Sequence, residues 1–144
     1  MKVFTIGFTK KSAREFFTLL ANSGAKRLVD VRLNNSSQLA GFSKRDDLEY
    51  FLKAICQMDY LHLPELAPTQ EMLDAYKGKQ MDWAAYENAF LQLMSERKVE
   101  TSVAREALEG SVLLCSEPKP EKCHRRLVAE YLQRAWGELE IEHL

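Results

Sequence analysis

Cysteine is scarce in this sequence, and so is any excess of charge. Three cysteines, Cys56, Cys115 and Cys123, stand in 144 residues. An odd, sparse count in a chain of this size is not a disulfide framework. Lysine and arginine number 20 against 21 aspartates and glutamates, a net charge of −1. A chain that coats itself in nucleic acid carries a basic excess, so nucleic acid is not favoured as a partner, although a local basic pocket stays open. No apolar run approaches the ~20 residues of a membrane span, so no membrane partner is expected. The opening Met1-Lys2-Val3-Phe4-Thr5-Ile6-Gly7 is interrupted by lysine, threonine and glycine, unlike a targeting segment. A reducing cytoplasm is the expected compartment. The sequence also lacks internal repeats, low-complexity tracts and linkers.

What is present is a core. Hydrophobic residues make up 46% and charged residues 28%, which excludes disorder. A single domain of this length buries about 68–70% of its unfolded surface and needs neither disulfide nor metal for stability. Short β-branched runs alternate with amphipathic stretches. Strands are expected at 2–6, 27–31, 60–63 and 112–115, with an edge strand at 139–142. Ser12 and Glu15 form a capping box for a first helix, and Gly24 ends it. Ser43 is read as the cap of a second, with Leu48, Phe51, Leu52, Ile55 and Cys56 on its buried side. Weaker helical patterns cover 69–77 and 100–108. Asp82 caps a stronger one carrying Trp83, Tyr86, Phe90, Leu93 and Met94, aromatics read as core. A last helix runs from after Pro120 to about Trp136. This pattern predicts a single α/β domain over 1–144: a mostly parallel sheet of about five strands, with helices on both faces.

In an open parallel sheet, ligands bind beyond the carboxyl ends of the strands. The expected strand exits deliver Gly7, Phe8 and Thr9, then Asp30 and Arg32, then His62 and Glu65, then Cys115, Ser116 and Glu117. At ~100° per residue, His124 and Arg125 continue the apolar face of the last helix into its first turn, and Cys123 and Arg126 fall nearer solvent. A buried Arg125 needs a counter-charge, for which Glu117, Asp30 or a bound anion qualifies. Unpaired N–H groups and the helix dipole at the same turn also favour an anion.

Thr5-Ile6-Gly7, Asp30-Val31-Arg32 with Ser37 and Phe42, Leu113-Leu114-Cys115 with Glu117, and Cys123-His124-Arg125 together resemble the domain of unknown function 488 family. Tyr60, His62, Leu63, Glu65, Leu66 and His143 extend the likeness. The resemblance implies a single α/β domain of bacterial or archaeal type and a site, but no reaction. Phe8-Thr9 stands where the family usually has His-Ser, and Asn35 and Ala67 replace a frequent proline and glycine. These departures suggest a subgroup with a different substrate.

The candidate roles follow. Arg32 and Arg125 would hold a small anionic, nucleotide-like ligand, with Thr9, Ser37 and His62 lining its site. Asp30 and Glu117 would orient the arginines or exchange protons. Cys123 or His124 would be the nucleophile or proton carrier, because a helix start rich in cations acidifies a thiol. Cys115 and Cys56 are read as packing. Zinc bound by Cys115, Cys123, His124 and His62 is a weaker reading, because Cys123 and His124 would diverge on a helix. No cofactor is assigned. A binding module for nucleic acid or protein, and a thiol redox sensor using Cys123 and Cys115, are the alternatives to an enzyme-like pocket.

Overall fold

The computed structural model describes residues 1–36, 41–117 and 119–144. Five strands form one sheet in the order β3-β2-β4-β1-β5. They are β1 (Lys2–Gly7), β2 (Arg27–Asp30), β3 (Asp59–His62), β4 (Ser111–Cys115) and β5 (Glu140–His143), and every neighbouring pair is parallel. All carboxyl ends therefore lie along one edge. The expected α/β class is what the chain adopts.

Alternating side chains feed two cores, one on each face of the sheet. Phe4, Ile6, Leu28, Val112 and Leu114 pack against α1 (Ala13–Ser23) and α2 (Arg45–Phe51). Val3, Val29, Leu113 and Cys115 pack against α4 (Trp83–Arg97) and α7 (His124–Trp136). The crossover from β3 to β4 is long and carries α3 (Gln70–Lys77), α4, α5 (Val99–Ser102) and α6 (Arg105–Leu108).

Local signals explain most boundaries. The Ser12 hydroxyl accepts the Glu15 N–H at 3.1 Å, and Gly24 closes α1 in the left-handed conformation at φ 78°. Phe16, Phe17 and Leu20 are the buried face of α1, while Ala13 is exposed. Asp82 caps α4 through the Ala85 N–H at 2.8 Å.

Three local expectations fail. Ser43 does not cap α2; it sits in the short 3-10 turn Gly41–Ser43, and Lys44 holds the cap position without a side-chain bond. The α2 stripe also breaks, because Leu52–Cys56 winds as a π-turn that rotates later residues off the 3.6-residue face. Leu48 and Leu52 are buried, whereas Ile55 is 54% exposed. The region 100–108 is two short helices rather than one, split where Val103 turns extended.

Candidate functional site

The exits of β2 and β3 form a buried polar knot. Asp30 accepts the Arg32 backbone N–H at 3.1 Å, Arg32 Nε at 2.9 Å and Nη2 at 2.8 Å. The Tyr60 hydroxyl donates to Asp30 at 2.6 Å and receives Asn35 Nδ2 at 3.1 Å. Burial, together with the Asp30 carboxylate, pushes the Tyr60 phenol well above its ordinary range. Asp30 is fully buried and Arg32 only 2% exposed, so this fork-on-carboxylate pair works in a dry setting. His62 Nε2 donates to the Arg32 carbonyl at 2.8 Å. The guanidinium lies 5.4 Å from the Phe8 ring centroid, and its Nη1 is buried without a hydrogen-bond partner among the described residues.

A second cluster closes between β4 and α7. Cys123 is the N-cap of α7, with extended backbone at φ −138° and ψ 138°. A helical wheel therefore does not apply to it, and its side chain turns inward beside His124 instead of toward solvent. Cys123 is 2% exposed and Cys115 5%. His124 Nε2 donates to the Val31 carbonyl at 2.7 Å. A carbonyl only accepts, so Nε2 carries the proton and Nδ1 of the neutral ring is bare. That bare nitrogen stands 3.2 Å from Cys115 Sγ, the geometry of a thiol–imidazole pair.

The two thiols are unequal. The neighbouring Cys115 sulfur, then burial, pushes the Cys123 thiol well above its usual value. Burial also raises the Cys115 thiol, but hydrogen bonds from Cys123 and the Ser116 N–H, with the Arg125 charge, outweigh it and leave it lowered. The thiol that meets the imidazole is thus Cys115, which the sequence assigns to packing.

Arg125 is fully buried and holds the β1 exit to the β4 exit. Its Nε donates to Thr5 Oγ1 at 3.3 Å and its Nη1 to the Glu117 carbonyl. Neither expected carboxylate serves it: Asp30 is engaged by Arg32, and the Glu117 side chain is exposed. Its Nη2 is buried without a hydrogen-bond partner among the described residues. Gly7 makes this contact feasible, because a Cβ there would stand 1.7 Å from the Glu117 carbonyl oxygen and 2.7 Å from Arg125 Nη1.

A cavity of about 210 Å³ opens at the ends of β2 and β4. Arg32, Cys115, Ser116, Glu117, Cys123 and His124 form one side, and Tyr76, Trp83 and Tyr86 form an aromatic wall, with Lys77 and Lys122 also on the lining. Trp83 and Tyr86 stack with ring centroids 5.3 Å apart, and Tyr76 meets Tyr86 at 5.1 Å. A larger groove of about 710 Å³ lies between α1 and α2 and is mostly apolar. The smaller cavity is the functional candidate because the polar strand exits converge on it.

Residues 12–132 match the family profile described as Domain of unknown function DUF488. The chain belongs to this family. No curated protein and no solved structure matches it at a significant level. The DUF488 match takes in β2, β3, β4 and the residues of both clusters except Phe8, but Thr5 to Gly7 and His143, which also carry the sequence resemblance, lie outside it.

Of the residues singled out in the sequence, Arg32, Glu117, Cys123 and His124 meet at this cavity, and Asp30 stands behind Arg32. Arg125, Thr9 and His62 are not on its lining. Thr9 instead ties the strand exits together, its N–H donating to the Ser116 carbonyl at 3.0 Å. Ser37 lies outside the described residues. Sequence reasoning missed the aromatic wall and the two lysines. Trp83 and Tyr86 do belong with the core, yet they sit in the first turn of α4, at the end of the helix that faces the strand exits. Their position at a helix start, rather than mid-helix, was the available signal.

Proposed function

We propose that the cavity binds a small anionic ligand carrying a planar group. Arg32 carries this reading. It is buried, held rigid by Asp30, on the cavity lining, and its Nη1 has no protein partner among the described residues. A buried donor in that condition favours an acceptor supplied by a ligand. Lys77 and Lys122 add positive charge, and the half-buried Trp83, backed by Tyr86, gives the lining an aromatic surface for a ring. Arg125 serves as a strut between strands rather than as a ligand contact.

The test is a thermal-shift screen with inorganic phosphate, nucleoside monophosphates, sugar phosphates and short single-stranded DNA. A ligand that binds only the folded state stabilises by about 2.7 kcal/mol at a hundred times Kd. A shift with a small anion, lost in the Lys77→Gln/Lys122→Gln double variant and reduced in Trp83→Ala, supports the reading. These side chains are exposed or half-buried, so the variants should keep the fold. A shift only with DNA, steeply erased by salt, favours a nucleic-acid module instead. A small-anion shift unchanged in both variants overturns the reading.

A thiol sensor is less well supported. It asks for an accessible, acidic Cys123, whereas Cys123 is buried and its thiol is held protonated by Cys115 and by burial.

A further inference from the structure

We infer that Cys115, Cys123 and His124 bind one thiophilic divalent cation, zinc foremost, through two sulfurs and His124 Nδ1, leaving a fourth position open to the cavity. The ligand atoms of these residues all lie within 4.8 Å of one another, and all three residues are buried. Tetrahedral zinc with bonds of ~2.3 Å to sulfur and ~2.0 Å to nitrogen sets its ligand atoms about 3.5–3.8 Å apart. Small side-chain rotations reach that spacing.

The donor chemistry is selective. Two thiolates and an imidazole suit zinc and disfavour the hard cations calcium and magnesium, which take oxygen. Two thiolates also neutralise a divalent charge, so the loaded site is not a buried excess charge. The thiol protons leave to water as the metal–sulfur bonds form. His124 is already oriented for the task. Its Nε2–H is fixed on the Val31 carbonyl at 2.7 Å, the outer contact that metal-bound histidines make, and this presents Nδ1 to the sulfurs. The extended backbone of Cys123 is what lets adjacent residues converge on one point.

Among the described residues no fourth cysteine, histidine or carboxylate joins the group. His62 is held at the Arg32 carbonyl instead. Three protein ligands with an open fourth position is the pattern of a reactive zinc site rather than a structural one. All three residues line the cavity, which gives the metal an entry path and gives the fourth position to water or a ligand atom. The inference does not depend on the anion reading.

The test uses the reduced 144-residue chain, stripped with chelator and titrated with Zn²⁺ against a chromophoric competitor, then with Co²⁺. One equivalent per chain is expected, with sulfur-to-cobalt charge transfer and a tetrahedral visible spectrum. Cys115→Ser, Cys123→Ser and His124→Gln should each weaken Zn²⁺ binding by at least about a hundredfold, beyond the 10–100-fold of an outer contact. Cys56→Ser should change nothing, since Cys56 packs on the other face of the sheet. X-ray absorption at the zinc edge of the loaded wild type should give two sulfurs and one imidazole nitrogen, and it requires no variant to fold. Absence of stoichiometric binding, a sulfur-free shell, or loss in Cys56→Ser overturns the inference. Lys77→Gln/Lys122→Gln should bind Zn²⁺ normally, so failure of the anion reading and failure of the metal site are separable.

Discussion

Two arginines are buried at the same edge of the sheet, and they are solvated differently. Arg32 faces a carboxylate, engaging Asp30 through Nε and Nη2 while Tyr60 donates to the same group. Arg125 has only neutral oxygens, the Thr5 hydroxyl and the Glu117 carbonyl, and no carboxylate pairs with it among the described residues. The first arginine is half of an ion pair. The second is a cation whose burial is offset by the dipoles of the Thr5 hydroxyl and the Glu117 carbonyl. Identical residue types at one edge thus have different surroundings: Arg32 is paired with Asp30 on the cavity lining, and Arg125 locks β1 to β4.

Neutralising each arginine breaks the comparison most sharply. Arg32→Met strands the Asp30 carboxylate in a dry site and should cost about 3–5 kcal/mol. Arg125→Met removes an unpaired buried charge and leaves only neutral acceptors, so about 1–3 kcal/mol is expected. Urea denaturation of both variants checks the order, and a costlier Arg125→Met would contradict this account. Gly7→Ala attacks the Arg125 lock without touching the arginine. The added Cβ displaces the Glu117 carbonyl, and overpacking of this kind costs about 1–3 kcal/mol, read as a lowered Tm.

Tyr60→Phe tests the Asp30 side more gently. It removes one donor from a carboxylate that keeps its Arg32 contacts, for about 1 kcal/mol in chemical denaturation. The smallest effect is a pH dependence. Burial, then Arg125, lowers the His143 pKa below its ordinary 6.5 in the folded chain. A histidine with a depressed folded pKa stabilises fully above its unfolded value and loses that contribution as pH falls through the folded one. Tm should therefore drop as pH falls below about 6.5, and His143→Gln should drop less steeply. Equal slopes in the two proteins would show that His143 is not the titrating group.

The sheet was legible in the sequence because strand and helix periods differ and because caps are local. Ser12 and Asp82 announce their helix starts through bonds to residues three positions away, and Gly24 its helix end through a left-handed backbone. The burial of His124 and Arg125 was legible for the same reason, since both lie on a regular helix. Cys123 was not. It occupies the residue at which helical phase starts, and the direction of a cap residue depends on the chain that precedes it. The π-turn at Leu52–Cys56 defeated the α2 stripe likewise, because no local composition marks the extra residue per turn.

The sequence by itself determined the α/β class, the order of the elements and the edge at which the polar residues gather. Each of these follows from short-range periodicity and from the right-handed connection of parallel strands. Tertiary structure alone decided the partners. Asp30 could have served either arginine, Cys115 could have been mere packing, and Trp83 could have been core only. Which group meets which depends on strand order and on the approach of α4 and α7 to the sheet. Those are set by packing between residues more than a hundred positions apart, as the 120-residue separation of Arg125 and Thr5 illustrates.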